Sequence, residues 1–221
     1  MSARSPSSQP VPAARNVILI GGRGSGKTSV GRELAAHLGW SFIDTDAQIE
    51  AASGRTIRDL FEQDGEAFFR RLEAGVIRGI IRHTEQVVSA GGGAVLSAEN
   101  RNTLRAAGVC IWLAAPAEEL YRRIQSDPRT AATRPALTDP AGVDEVRQLL
   151  RERGPLYAEL AQHVVETAGR SVAQVVADVA ALLTRPRGTA RKRWCSTRSP
   201  RSSSGCSDCA SAASSTSSST G

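Results

Sequence analysis

Only one lysine occurs among the first 184 residues, and it sits inside the octet Gly21-Gly22-Arg23-Gly24-Ser25-Gly26-Lys27-Thr28. The apolar run Val17-Ile18-Leu19-Ile20 leads into this octet. The stretch from Lys27 to Leu38, with Val30, Leu34, Ala35 and Leu38 on one helical face, leads out of it. The spacing GxxxxGK(S/T) at a strand-to-helix junction builds a nest of backbone N–H groups around polyphosphate, and the helix N-terminus adds positive potential. Gly22, Gly24, Ser25 and Gly26 form that nest. Lys27 reaches the β- and γ-phosphates, and Thr28 supplies a hydroxyl to Mg²⁺. Among 26 arginines this one lysine has a reason to persist, because a planar guanidinium replaces a compact ammonium poorly in such a nest. The bland alternative is a glycine-rich turn with a solvated lysine. The pattern points to an α/β chain that binds a nucleoside triphosphate.

The remaining elements follow in alternation. Gly39 ends the first helix, and Ser41 to Asp44 reads as a second strand. Asp46 to His83 is helical in character, with breaks near Ser53-Gly54 and Asp64-Gly65. Gln86 to Ala90 is a strand entering Gly91-Gly92-Gly93, Ser97 caps a helix to Ala107, and Val109 to Ala114 is a further strand. Pro116 opens a helix over 117–125. Gly142 to Leu160 is helical with a kink at Pro155, His163 to Thr167 is the last strand, and Ser171 to Leu183 is the closing helix. Such alternation predicts three α/β/α layers around a central parallel sheet, with ligands at the strand C-termini. The proline-bearing stretch 126–140 has no regular period and reads as a mobile lid.

The formal charge of +6 and pI near 9.8 suggest nucleic acid until the charges are located. Residues 185–221 hold seven basic side chains against Asp208 alone, which is the whole excess; the rest is balanced at 21 basic and 21 acidic. Twelve serines and one aromatic in those 37 residues predict a disordered tail, as the Ser- and Pro-rich composition predicts a disordered arm over 1–14. The folded domain is expected over 15–184. Three of the four cysteines lie in the tail, and Cys206-Ser-Asp-Cys209 has no second pair to complete a zinc site. No apolar signal core and no run of about 18 apolar residues is apparent, so a cytoplasmic protein with no membrane and no specific nucleic-acid partner is expected.

Several constellations lie at strand ends. Asp44 and Asp46 alternate in phase at the end of the second strand, so both can face one crevice, one organising Mg²⁺ and the other meeting an attacking hydroxyl. Asp46 also suits the N-cap of the next helix. Arg70 and Glu73 share a helix face, so Glu73 can fix the guanidinium; alone, the pair reads as a surface salt bridge of less than about 1 kcal/mol. The three glycines 91–93 leave N–H groups free for a ligand, or form a simple turn. Arg134 in the lid and Arg153 in Arg151-Glu-Arg-Gly-Pro155-Leu-Tyr157 fit charge stabilisation during phosphoryl transfer, although neither stands out unaided.

Taken together, GGRGSGKT with Gly31-Arg-Glu-Leu-Ala35, Phe42-Ile-Asp44-Thr-Asp46, Phe69-Arg70-Arg71-Leu-Glu73, Gly91-Gly-Gly-Ala-Val95, Thr133-Arg134-Pro135 and Arg153-Gly-Pro155-Leu-Tyr157 resemble the shikimate kinase family over about residues 16–184. The resemblance implies a fold like that of nucleoside monophosphate kinases, substrate-binding helices over about 44–84, and transfer of the ATP γ-phosphate to the 3-hydroxyl of shikimate, a step toward chorismate and the aromatic amino acids. It implies Asp46, Arg70, Gly92, Gly93 and Arg153 as shikimate ligands, with Asp46 the candidate base. Thr28 and Asp44 are implied as partners of one Mg²⁺ per subunit, Lys27 and Arg134 as charge stabilisers, and Arg123 as the adenine-stacking arginine. A monomer is expected. Pro135-Ala136-Leu137 departs from the family pattern, in which leucine commonly follows the proline. Rival readings are another small-metabolite kinase such as a gluconate kinase, a nucleoside monophosphate kinase, a nucleic-acid-binding ATPase resting on the basic tail, and a nucleotide-binding regulator without turnover.

Overall fold

The structure is a computed structural model that describes residues 16–80, 82–126 and 142–184. The N-terminal arm, Arg134 with the lid from residue 127, and the tail lie outside the described residues.

Five strands form one parallel sheet in the order β2-β3-β1-β4-β5: β1 (Asn16–Ile20), β2 (Ser41–Asp44), β3 (Gln86–Ser89), β4 (Val109–Ala114) and β5 (His163–Glu166). Seven helices accompany them among the described residues: α1 (Lys27–Leu38), α2 (Thr45–Ser53), α3 (Ile57–Ile80), α4 (Ala98–Ala107), α5 (Ala117–Ser126), α6 (Gly142–Leu160) and α7 (Val172–Leu183).

Side-chain alternation along the central strands creates the layers. Val17 and Leu19 of β1, with Ile111 and Leu113 of β4, pack against Val30 and Leu34 of α1 and Val175 and Val179 of α7. Ile18 and Ile20, with Cys110 and Trp112, face Ile77 of α3, Leu104 of α4, and Tyr157 and Leu160 of α6. Each such buried aliphatic side chain contributes about 1.5–3 kcal/mol. Reversing the phase of β1 would expose no residue but would mispair both cores. Ile49, Ile57, Leu60 and Phe69 form a separate small core between α2 and α3.

The expected punctuation is present in detail. Gly39 closes α1 at φ 70, Ser97 caps α4 by accepting from the Asn100 N–H, and Ser171 and Gln174 form a reciprocal capping box on α7. The break at Ser53-Gly54 separates α2 from α3, whereas Gly65, at φ 77 and ψ 171, only kinks α3. α6 continues through Pro155. Ala90 and Thr167 fall just beyond their strands, yet their N–H groups still donate to Leu19 and Ala114. Because every strand runs the same way, the phosphate loop, Asp44, the glycine turn and Thr167 emerge on one edge.

Candidate active site

The phosphate loop turns from β1 into α1 with Gly26 as N-cap at φ 89, and no side chain caps the helix. No side-chain cap therefore competes with a ligand at the N-terminus of α1. Gly24 has φ 79, and a Cβ there would lie 2.7 Å from the Leu120 carbonyl oxygen, so a side chain is excluded on two counts. Lys27 Nζ donates to the carbonyls of Gly21 and Gly22 at 3.0 and 2.8 Å, which holds the ammonium over the loop.

Across from it, Thr28 Oγ1 donates to Asp44 Oδ2 at 2.8 Å. Asp44 Oδ1 accepts from the N–H groups of Asp46 and Ala47 at 3.1 and 3.4 Å, so Asp44, not Asp46, is the N-cap of α2. The strand phase that was to align the two carboxylates does not apply, because the chain turns helical at Thr45. Asp46 instead reaches the acceptor cavity from the first turn of α2; a Cβ on Gly91 would come within 2.7 Å of its Oδ1. Thr45, fully buried, accepts the Gly91 N–H at 2.9 Å and pins the glycine turn to α2.

Asp46, Arg70, Gly92, Gly93 and Arg153 line one cavity of about 290 Å³, walled on its apolar side by Phe61 and Phe69. Arg70 Nη1 donates to Glu73 Oε2 at 2.9 Å and Nη2 donates to Glu66 Oε1 at 2.9 Å. Glu73 is 1% exposed, which removes the surface-bridge reading of the pair. Burial pushes the Glu73 carboxyl up from its ordinary value, with the Arg70 guanidinium pulling the other way. A Cβ on Gly93 would lie 2.6 Å from the Arg70 guanidinium nitrogens, so the absence of a side chain there is what lets the arginine approach. Arg153 Nε is buried with no hydrogen-bond partner among the described residues.

Arg123 faces a second cavity of about 440 Å³ beside the phosphate loop. Its Nε donates to Glu119 at 2.7 Å, and Nη2 and Nη1 donate to the Thr167 carbonyl and hydroxyl at 2.7 and 3.0 Å. A longer bond of 3.4 Å reaches the Gly24 carbonyl. Hydrogen bonds from Arg122 and Arg123 hold the Glu119 carboxyl down at about 2. Thr45 and Thr167 carried no signal of their own in the sequence, since each acts through a fold-made contact; Glu119 pairs locally with Arg123 at (i, i+4), and Tyr157 was visible only within a longer motif.

A parallel sheet whose central strand ends in a phosphate loop, with a small cavity of arginines and a carboxylate one strand away, defines a phosphate-loop kinase for a small anionic acceptor. The shikimate kinase family model matches residues 23–184, and the chain belongs to that family. It is 47% identical over 167 residues to the shikimate kinase of Nitratidesulfovibrio vulgaris, covering 76% of this chain and 94% of the relative. The shikimate kinase of Symbiobacterium thermophilum is 44% identical over 164 residues, covering 74% and 93%. Among solved structures, shikimate kinase from Acinetobacter baumannii in complex with shikimate superposes with TM-score 0.73 at 34% identity, covering 78% of this chain and 94% of the other. No helix among the described residues is long and apolar enough to cross a membrane.

Proposed function

We infer that the chain transfers the γ-phosphate of ATP to the 3-hydroxyl of shikimate, giving shikimate 3-phosphate and ADP. The observation that carries this reading is the convergence of Asp46 and Arg70 on the Gly91–Gly93 turn, each within 2.7 Å of where a glycine Cβ would stand. A guanidinium fork suits a carboxylate, and an aspartate suits a hydroxyl. Arg70, held by Glu73, and Arg153 take the shikimate carboxylate. The N–H groups of Gly92 and Gly93 contribute further donors.

Asp46 orients the 3-hydroxyl and accepts its proton as the hydroxyl oxygen bonds to the γ-phosphorus. The bond from that phosphorus to the β–γ bridging oxygen breaks, and its electron pair leaves on ADP. Lys27, with the lid residue Arg134, offsets the charge on the transferred group. Gly22, Gly24, Ser25 and Gly26 cradle the phosphates, and Arg123 borders the base. Thr28 and Asp44 present a hydroxyl and a carboxylate oxygen 2.8 Å apart, a hard-donor pair that suits Mg²⁺, which takes few protein ligands and completes its shell with phosphate oxygens and water. Thr28 and Asp44 would hold one Mg²⁺ per subunit there, and the ion would supply positive charge to offset that of the phosphates.

A catalytic domain over 15–184, working as a cytoplasmic monomer with no specific nucleic-acid or membrane partner, completes the reading. The test is a coupled ADP-release assay with shikimate, gluconate and nucleoside monophosphates as acceptors. Turnover with shikimate alone is expected; preference for another acceptor overturns the assignment.

A further inference from the structure

Arg153 and Tyr157 stand one turn apart on α6 and so share a face. Both line the same cavity, and the Arg153 guanidinium lies close enough to the Tyr157 hydroxyl to act on it electrostatically. That hydroxyl donates to the Gly92 carbonyl at 2.6 Å. A phenol O–H is a donor, so this one bond ties the helix to the glycine turn. The tyrosine is 1% exposed and its ring rests against Trp112, with ring centroids 5.6 Å apart, while the hydroxyl is placed by its bond to Gly92.

A trans peptide points its carbonyl and its N–H in opposite directions. Holding the Gly92 carbonyl toward Tyr157 therefore turns the Gly93 N–H away from it. Among the described residues the Gly93 N–H donates to no backbone carbonyl, which leaves it for a ligand. Without the tyrosine hydroxyl, a peptide between two glycines has no side chain to bias its rotation.

From this geometry we propose that Tyr157 is a positioning residue that sets the Arg153 guanidinium and the Gly93 N–H as one unit for gripping the acceptor. The proposal rests on the shikimate reading above. It assigns Tyr157 no contact with the reacting atoms. It also explains why an aromatic residue in the sheet-facing core carries a hydroxyl at all, since packing on Trp112 needs only the ring.

Tyr157→Phe deletes the hydroxyl and keeps the ring. The expected result is a rise of about tenfold in KM and Kd for shikimate, an unchanged KM for ATP, and a kcat within about threefold of wild type. Trp112→Phe is the packing control: it should lower Tm yet leave the shikimate KM in place. Without any ligand, the Gly93 amide resonance of nitrogen-labelled protein should move in Tyr157→Phe and stay in Trp112→Phe. A Tyr157→Phe enzyme with wild-type shikimate KM and an unmoved Gly93 amide overturns the proposal and leaves the acceptor assignment standing. Wild-type protein inert toward shikimate overturns that assignment instead, and the Gly93 amide then decides the coupling alone. Should Tyr157→Phe fail to fold, wild-type protein labelled with fluorotyrosine serves, since Tyr121 and Tyr157 are the two tyrosines of the chain. The Tyr157 fluorine signal should move with shikimate and not with ATP; an unmoved signal rejects the role.

Discussion

The Thr28 hydroxyl and the Asp44 carboxylate, 2.8 Å apart, join the first turn of α1 to the last residue of β2. The bond brings two oxygen donors from separate elements to the mouth of the phosphate loop. Asp44→Asn keeps an N-cap oxygen for α2 and removes the charge, so folding should be preserved. The Mg²⁺ concentration for half-maximal ADP release should rise about 10- to 100-fold. A Mg²⁺ titration superimposable on wild type would remove Asp44 from the metal site.

Lys27 and Asp46 separate the nucleotide and acceptor halves of the reaction. Lys27→Ala removes an ammonium held over the loop carbonyls and should lower kcat by roughly 10²–10³-fold with little change in Tm. Asp46→Asn should bind ATP with wild-type affinity while kcat falls by about 10²–10⁴-fold. Calorimetric ATP binding alongside steady-state rates distinguishes the two; an Asp46→Asn enzyme with ordinary kcat rejects the base.

Glu73 trades stability for placement of Arg70. Burial raises its folded-state pKa above the ordinary 4.5, so the stability it contributes is full below pH 4.5 and is lost as pH rises through the raised value. At neutral pH the buried carboxylate is therefore a burden on the fold. Glu73→Gln should gain on wild type in Tm as pH increases from 4 to 8, because Arg70 keeps Glu66 as a partner. Its shikimate KM should rise about tenfold, since the ion pair that fixes the Arg70 guanidinium becomes a weaker charge–dipole bond. A Tm difference that does not vary with pH would show that Glu73 does not titrate differently in the two states.

Gly93→Ala tests the close approach of Arg70. Gly93 has φ −96, so alanine meets no backbone strain, and the added methyl meets only the end of a flexible side chain. Folding should survive while the guanidinium is displaced. The shikimate KM should increase about tenfold or more, with ATP binding untouched. An unaltered shikimate KM would mean that Arg70 tolerates another position.

The layers were readable because β1 and β4 are short unbroken apolar runs, as strands covered on both faces require, and because Gly39, Ser97 and Ser171 punctuate the helices with local chemistry. The phosphate loop was readable for the same reason: its function is written in contiguous residues. Glu73 was not. Its (i, i+3) spacing from Arg70 is equally that of a surface pair, and only the approach of the Gly91–Gly93 turn, distant in sequence, buries it. The cap of α2 falls on Asp44 and not on Asp46, because the strand phase was carried two residues past the end of β2. Tyr157 had its ring legible and its hydroxyl silent, since the Gly92 carbonyl it holds lies 65 residues away.

The small core of Ile49, Ile57, Leu60 and Phe69 stands apart from the two that sandwich the sheet. Ile57 and Phe69 of that core also line the acceptor cavity, so changes to its shape reach the wall behind the acceptor. The acceptor wall thus rests on a packing cluster of its own, which can be reshaped without repacking the two layers against the sheet.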